Sequence, residues 1–378
     1  MRATLNHSVA ILGTGSYLPE RIVGNDELRG LCSNYDEDRS GDFGTWVDRV
    51  THIHRRHYIA PDETAADMAT TAAKRALDMA GVKAEELDLI IHASFTPSNV
   101  VPGDHVLVAQ ALGATRTPSF TLTAACAGSV HGMAMAYGML ASGTMKRILV
   151  TGSETISPTL DFGDLLTTIL FGDGAGAVVL GNVGSCAGGV FAPLLGFDFN
   201  YENIVMNNAN LPFTSQVRVP AANGTPPAIE KEYLRMRSGR SVLRSAVNTM
   251  AGAVKRVLGH DGKARIEGEL AEDLSRLRLI AHQANGRIVD GLAKKLGISA
   301  LKTTKPIYHM GNISAASNVI ALDFAMRHGN LTAETEPETG RILEVTLHKD
   351  PIEKGELVVV PTIGAGYLYG AVGFIHAG

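Results

Sequence analysis

The sequence has few cysteines and no long apolar segment, and these two absences exclude several classes of protein. Its 378 residues include three cysteines, Cys32, Cys126 and Cys186. They are too few and too scattered for a disulfide framework, and no two have the short spacing typical of a zinc site. No run approaches the roughly 18 apolar residues of a membrane-spanning helix, and the N-terminus lacks the apolar core of a signal peptide. We therefore expect a cytoplasmic protein without a membrane span or a metal site.

The charge is also nearly balanced. Lys and Arg total 34 and Asp and Glu total 38, which gives a formal net charge of −4. This value gives no reason to expect nucleic acid or an anionic membrane as a partner, although a local basic patch could still meet a carrier protein. The hydrophobic fraction of 45% is sufficient for a large core, in one large domain or two medium ones.

Strand and helix patterns alternate along the chain. Asp62 or Thr64 can cap a helix whose apolar stripe ends at Gly81, and residues 87–95 (LDLIIHASF) have the length and composition of a buried strand. A second helix is predicted around residues 105–112, followed by the strand PSFTLTA. This alternation predicts an α/β protein with covered sheets.

The chain also contains an internal echo. The segment LDLIIHAS resembles LRLIAHQA, and after each come a helix, a strand and a turn of small residues that leads into another helix. The first of these turns contains Cys126 and the second contains Asn312. A glycine-rich hairpin is predicted to close each half, at residues 171–181 and 363–375. Three echoes in the same order favour duplication over chance similarity.

The echo divides the chain into two similar α/β halves, residues 1–182 and 229–378. Residues 183–228 form an irregular bridging segment that is rich in Asn and Pro towards its end. The polar, glycine-containing residues 31–45 (LCSNYDEDRSGDFGT) predict a surface loop, which would contain Cys32.

The surroundings of Cys126 suit a nucleophile. Ala124, Ala125, Ala127 and Gly128 flank it, so that a substrate could approach closely. The N-terminus of the following helix would favour the thiolate, and its unpaired N–H groups could bind an oxyanion. The alternative is a small buried side chain that fills a tight turn.

Two further residues are weak signals when taken singly. His282 ends a buried strand, where a histidine is more often a hydrogen-bonded core residue, and its echo His92 shares that position. Asn312 lies in a Gly-Asn turn, where asparagine usually acts as a cap. In duplicated halves, however, matched strand ends and helix starts converge on one pocket. Cys126, His282 and Asn312 would there form an acyl-transfer set.

Taken together, the motifs resemble the β-ketoacyl-acyl carrier protein synthase III family of the thiolase superfamily. The resemblance covers most of the chain through GTGSYLPE, WVDR, THIHRRH, AACAG, LFGDGAGAVVL, HQAN, HMGNISAAS and IGAGYLYG. It implies a thiolase fold of five αβαβα layers, a homodimer, and coenzyme A or phosphopantetheine thioesters as substrates, with no cofactor.

The resemblance also implies a ping-pong Claisen condensation. Cys126 would take an acyl group from a thioester and join it to a malonyl or β-ketoacyl thioester on an acyl carrier protein, in fatty-acid or specialised lipid or polyketide biosynthesis. A malonyl group, the common second substrate, would lose carbon dioxide. His282 and Asn312 would stabilise the resulting enolate, while the backbone N–H groups of Cys126 and Ala365 would bind the tetrahedral oxyanion. The matching substrate- and carrier-binding positions are Trp46, Arg49, Val101, Asn285, Arg287 and Gly364.

Some family positions have changed here. Val50 and Leu165 occupy sites where the family usually has arginines that bind coenzyme A, and Arg49 lies one place too early to be assumed a substitute. Trp46 could either pack or present a flat surface to adenine. Val101, which precedes Pro102 and would enter the partner subunit's acyl pocket, is smaller than the Phe of some members. These changes favour carrier-bound or bulkier acyl donors.

Several rival functions would need residues that differ from those of this sequence. A plant-type polyketide synthase usually has GFGPG where this chain has IGAGYLYG, and a biosynthetic thiolase would need a second catalytic cysteine in a C-terminal glycine loop. A hydroxymethylglutaryl synthase would need a catalytic Glu at another site. A non-condensing acyltransferase that passes the acyl group from Cys126 to an alcohol or amine remains the main alternative. A catalytically silent partner subunit usually loses the Cys, His or Asn, and all three are present.

Overall fold

The computed structural model describes residues 5–6, 8–191, 193–200, 204–205, 234–236, 239–259 and 277–378. Residues 206–228 of the predicted bridging segment therefore lie outside the described part of the chain. The strands are β1 Leu5–Asn6, β2 Val9–Tyr17, β3 Arg21–Gly24, β4 Arg55–Tyr58, β5 Leu89–Ala93, β6 Ser119–Leu122, β7 Arg147–Glu154, β8 Gly174–Asn182, β9 Gly189–Phe191, β10 Leu194–Asn200, β11 Ile204–Val205, β12 Arg235–Met236, β13 Arg278–Leu279, β14 Gly329–Thr335, β15 Ile342–Lys349, β16 Leu357–Gly364 and β17 Gly366–Ile375.

The α-helices are α1 Asn25–Leu31, α2 Glu37–Ser40, α3 Phe43–Thr51, α4 Ala65–Ala80, α5 Asp104–Ala111, α6 Gly128–Ala141, α7 Leu165–Thr168, α8 Gly239–Val257, α9 Gly286–Leu296, α10 Ile307–Met310 and α11 Ser317–Arg327. Short 3-10 turns occupy Ala84–Glu86, Ala125–Ala127, Ser157–Thr159, Ala300–Lys302 and Ser314–Ala316.

Two mixed sheets organise these elements. The first has the strand order β2-β8-β7-β5-β6, and the second has the order β1-β9-β17-β16-β13 with β10 also paired to β17. β16 and β17 form the predicted C-terminal hairpin. The hairpin predicted at residues 171–181 is wrong, because β8 is a single strand that pairs antiparallel with both β2 and β7.

The packing of apolar side chains gives five layers. The largest core joins inward faces of both sheets to α6 and α11, which therefore lie between the sheets. A second core packs α8 and α9 on the outer face of the second sheet, and a third packs α4 on the outer face of the first. The order is helix, sheet, helices, sheet, helix, as expected from the sequence. Among the described residues, no helix is long and apolar enough to cross a bilayer.

Local sequence explains α4 well. Thr64 and Asp67 form a reciprocal capping box at its start, and Gly81 ends it with a left-handed conformation at φ 62°. Both boundaries confirm the sequence prediction. Residues 31–45 differ from it, because α2 and the start of α3 lie there, and Cys32 is only 3% exposed instead of lying in an open loop.

The duplicated halves carry matched turns before the two central helices. Ala125 precedes Cys126 at φ 46°, and Ser314 precedes Ala315 at φ 42°. Each residue begins a 3-10 turn that leads directly into α6 or α11. A left-handed backbone is uncommon for non-glycine residues, so its occurrence at equivalent places reflects the internal echo of the sequence.

Candidate active site

Cys126 lies in the turn that enters α6, and strand β16 supports it from the other half of the chain. The Thr362 hydroxyl donates to the Cys126 carbonyl at 3.2 Å. At the end of the same strand, a Cβ on Gly364 would lie 3.1 Å from the Cys126 nitrogen and 3.0 Å from that of Ala127. Glycine makes this close approach possible without moving the turn, and the approach brings Ala365, the next residue, to the nucleophile.

Burial dominates the electrostatics of the thiol. It raises the pKa of Cys126 to about 11, and the negative charge of Glu154 acts in the same direction. Hydrogen bonds from the Ser314 hydroxyl and from the backbone N–H groups of Cys126 and Ala365 oppose this rise in pKa. The two backbone groups that the family resemblance assigns to the oxyanion therefore both act on the thiol.

His282 is held just after β13. Its backbone N–H donates to the Pro361 carbonyl at 2.9 Å, and its imidazole is buried. Burial lowers the pKa of His282 to about 3, so the ring is neutral at physiological pH. Its Nδ1 has no hydrogen-bond partner among the described residues. A neutral imidazole retains one N–H that can donate to a substrate oxygen.

Asn312 is fixed through both its backbone and its side-chain oxygen. Its backbone N–H donates to the Leu170 carbonyl at 2.8 Å and its own carbonyl accepts from the Gly172 N–H at 3.0 Å. Oδ1 accepts the Ser314 N–H at 2.8 Å and lies 3.5 Å from the Ser317 hydroxyl. Because Oδ1 is occupied, Nδ2 is the side-chain group left to donate to a substrate.

Strand β16 connects two of the three residues. Pro361 binds the backbone of His282, and the adjacent Thr362 binds that of Cys126. Asn318 on α11 donates to the carbonyls of Pro361 and Ile280, both at 3.2 Å. The strand thus holds Cys126 and His282, while Asn312 is linked to Cys126 through Ser314, whose N–H donates to Asn312 Oδ1 and whose hydroxyl donates to the Cys126 sulfur.

Two polar residues of this region were not singled out from the sequence. The Ser314 hydroxyl donates to the Cys126 sulfur at 3.2 Å. Glu154 is fully buried at the end of β7, where Oε2 accepts from the Thr96 hydroxyl and backbone at 2.5 and 3.0 Å, and Oε1 lies 3.4 Å from the Ala315 nitrogen. Burial raises the pKa of Glu154 to about 7. A charged residue at the end of the apolar run RILVTGSE was the available signal for Glu154.

The substrate-binding residues predicted around α3 lie in surroundings that differ from one residue to the next. Trp46 is half-buried, with its ring 5.1 Å from that of Tyr35, so it packs within a small aromatic cluster. Arg49 is exposed and its side chain runs along Gly340, in the loop between β14 and β15. Val50 lies against the same core as Trp46 and Leu165. Apolar side chains therefore stand where the family arginines were expected.

The remaining predicted positions lie on α9 and on the loop before α5. Asn285 caps α9, accepting the Arg287 N–H at 2.8 Å, and its Nδ2 donates to the Val50 carbonyl at 3.2 Å. The Arg287 side chain is exposed. Val101 is 82% exposed and forms a cis peptide with Pro102. Within the described residues, no cluster of three or more His, Cys, Asp or Glu side chains is arranged to hold a metal ion.

Comparison with known proteins identifies this architecture. Residues 120–196 match the model of 3-oxoacyl-[acyl-carrier-protein] synthase III, and residues 254–336 match the model of its C-terminal part. The chain is 37% identical over 324 residues to β-ketoacyl-[acyl-carrier-protein] synthase III of Desulfitobacterium hafniense, covering 86% of this chain and 91% of the relative.

Solved structures agree with the sequence comparison. The 3-oxoacyl-[acyl-carrier-protein] synthase III of Aquifex aeolicus superposes with a TM-score of 0.76 at 32% identity, covering 97% of this chain and 100% of that chain. The priming β-ketosynthase of the R1128 polyketide pathway gives 0.77 at 28% identity, covering 100% and 98%. The protein is thus a condensing enzyme of the thiolase fold. It belongs to the 3-oxoacyl-[acyl-carrier-protein] synthase III family, and the fold and family predictions are confirmed.

Proposed function

We propose that the enzyme loads an acyl group on Cys126 and condenses it with a malonyl-type thioester. Sγ attacks the acyl thioester carbon, the C–S bond to coenzyme A or phosphopantetheine breaks, and that thiol leaves with the proton of Cys126. The observation that carries this proposal is that the N–H groups of Cys126 and Ala365 both act on the Cys126 thiol, beside the acyl oxygen that would become the oxyanion of each tetrahedral intermediate.

Condensation then uses the other two residues. The malonyl carboxylate leaves as carbon dioxide, and its electron pair generates an enolate that attacks the acyl carbon, with Cys126 as the leaving thiolate. Neutral His282 and the amide Nδ2 of Asn312 donate hydrogen bonds to the enolate oxygen. The low pKa of His282 suits this role, because a protonated imidazole would quench the carbanion.

The surroundings of Trp46 bear on the acyl donor. Val50 and Leu165 supply no charge for the phosphates of coenzyme A, and Arg49 lies against Gly340. We therefore favour an acyl group carried by acyl carrier protein, with exposed Arg287 as one contact. In a homodimer, exposed Val101 would enter the partner subunit's acyl pocket and leave room for a longer chain. Trp46, Asn285 and Gly364 would shape the tunnel rather than supply charge.

Intact-mass screening tests this function. The protein is incubated with acyl-coenzyme A and acyl-carrier thioesters, and then with a malonyl thioester while carbon dioxide is measured. We expect loading of the wild type and of the matched variant Cys32→Ala, and no mass gain in Cys126→Ala. Labelling that persists in Cys126→Ala would overturn the nucleophile assignment. Loading without carbon dioxide release would instead indicate transfer to an alcohol or amine.

A further inference from the structure

We infer that Ser314 is a positioning residue that donates its hydroxyl hydrogen to the Cys126 sulfur and thereby stabilises the thiolate. The second half of the duplicated fold would then supply a hydrogen bond to the nucleophile of the first half. The inference rests on the proposed role of Cys126 and adds a residue to that site.

Within the described part of the chain, the Ser314 hydroxyl has one hydrogen-bond acceptor within reach, the Cys126 sulfur. Ser314 Oγ lies 3.2 Å from Cys126 Sγ, and the serine is fully buried. Sγ is the only hydrogen-bond partner of this Oγ among the described residues. A hydroxyl hydrogen pointed at sulfur stabilises the thiolate more than the thiol, because a hydrogen bond to a charged acceptor is the stronger one.

The backbone around Ser314 is fixed from two sides. Its N–H donates to Asn312 Oδ1 at 2.8 Å, and the next N–H, that of Ala315, points at Glu154 Oε1 at 3.4 Å. These contacts hold Ser314 at φ 42°, a conformation that a non-glycine residue adopts only when its surroundings require it. Without this turn of the backbone, the side chain could not be held against the sulfur.

Internal symmetry separates the hydroxyl from the backbone conformation. Ala125 occupies the equivalent place in the other half at φ 46°, so the left-handed turn forms without a hydroxyl. The neighbour of Ala125 in the turn is the nucleophile Cys126, whereas the neighbour of Ser314 is Ala315. The hydroxyl is therefore present only in the turn that faces the thiol. The same comparison predicts that alanine is tolerated at position 314.

The groups around Sγ raise the pKa of Cys126, so a hydrogen-bond donor is needed there to stabilise the thiolate. Burial raises the pKa of Cys126 to about 11 and the charge of Glu154 adds to the rise, while Ser314 is the largest of the groups that lower it. His282, the nearby catalytic imidazole, is neutral and supplies no positive charge to stabilise a thiolate. Hydrogen bonds are therefore the means by which the thiolate is stabilised here.

The test is the alkylation rate of Cys126 by iodoacetamide as a function of pH, measured on the Cys126 peptide by mass spectrometry. The reaction forms an S–C bond and releases iodide, and the thiol proton goes to the buffer. In Ser314→Ala, we expect the profile to move up by about one to two pH units. The rate at a fixed pH below the pKa should fall about three- to tenfold, since a more basic thiolate is also the better nucleophile.

The matched control is Ser129→Ala, which removes a buried hydroxyl with no hydrogen-bond partner among the described residues from the start of α6. It should leave the profile of Cys126 in place. Ser314→Gly tests the inference again, because glycine adopts a positive φ without strain and also lacks the hydroxyl. An unshifted profile in either folded Ser314 variant overturns the inference. Alkylation needs no acyl substrate, so this failure is distinct from a failure of wild-type loading, which would overturn the proposed function.

Discussion

Replacing Asn312 with alanine should separate acyl loading from condensation. Oδ1 of Asn312 is occupied by the Ser314 N–H, which leaves Nδ2 to donate to the enolate oxygen. Loss of one such donor slows a reaction by about 10²–10³, or roughly 2.7–4 kcal/mol of transition-state stabilisation. Loading relies on Cys126 and on backbone N–H groups. The variant can affect loading only through the Ser314 hydroxyl, so the loading rate should fall by no more than about tenfold.

The variant also has a calculable effect on stability. The Ser314 N–H is buried and would lose its acceptor, which destabilises the fold by about 1–3 kcal/mol. Asn318→Ala is the matched control, because that amide is also buried, lies on α11 shortly after Asn312, and binds the carbonyls of Ile280 and Pro361. It should lower the melting temperature without a selective loss of condensation. Alanine is preferable to aspartate at 312, since a carboxylate there would raise the pKa of Cys126.

The assay follows the two half-reactions of one preparation separately. Single-turnover acyl transfer to Cys126 is measured by intact mass, and carbon dioxide release from a malonyl thioester is measured after loading. The expected result is a first step slowed by no more than about tenfold and a second step slowed by at least about a hundredfold. Equal losses in both steps, or an unchanged second step, would refute the division of roles between Cys126 and Asn312.

Three other predictions follow from single positions. Glu154→Gln should remove a pH dependence of the stability of the fold. The pKa of Glu154 is raised from 4.5 to about 7, so the stability it contributes is present below pH 4.5 and is lost as the pH rises to about 7, by at most roughly 3 kcal/mol. If the melting temperatures of the wild type and the variant change with pH in the same way across this range, the prediction is contradicted. Val50→Arg should lower the KM for acyl-coenzyme A about tenfold and leave the KM for the carrier-bound donor unchanged, because a charged hydrogen bond to phosphate contributes about 1.5–3 kcal/mol. An unchanged KM for acyl-coenzyme A would contradict the claim that position 50 is where an arginine binds coenzyme A. Val101→Asp should weaken the expected homodimer about a hundredfold, since it would bury an unpaired charge, and an unchanged sedimentation profile would exclude that interface.

The elements that sequence predicted best depend on near neighbours. Helix α4 begins at a Thr64 capping box and ends at Gly81, and both signals lie within a few residues of the structure they determine. The two similar α/β halves were also predictable, because each half repeats the same pattern of strand, helix and small-residue turn, and the family resemblance then implied the five-layer order. Residues 31–45 were predicted less well, since polar composition alone does not show whether short helices such as α2 form.

The candidate site was predictable as a set of residues but not as an arrangement. Cys126, His282 and Asn312 stood out through the duplicated turns and the family motifs. The direction of the Arg49 side chain, one step from the family position, could not be predicted from the sequence, because it depends on the hairpin loop at Gly340. Burial of Glu154 likewise depends on the strands and loops that enclose it.

The sequence by itself therefore determined the fold class, and through the family motifs it predicted the nucleophile and its partners, because periodicity, caps and motifs lie within short segments. Only the tertiary structure decided which groups act on the sulfur. Ser314 and Cys126 are 188 residues apart and meet because two similar halves face one another across the central helices. The pKa of the thiol was likewise a tertiary property. The helix start and the small neighbours favour a thiolate, but burial outweighs them, and donors from the other half of the chain offset part of that effect.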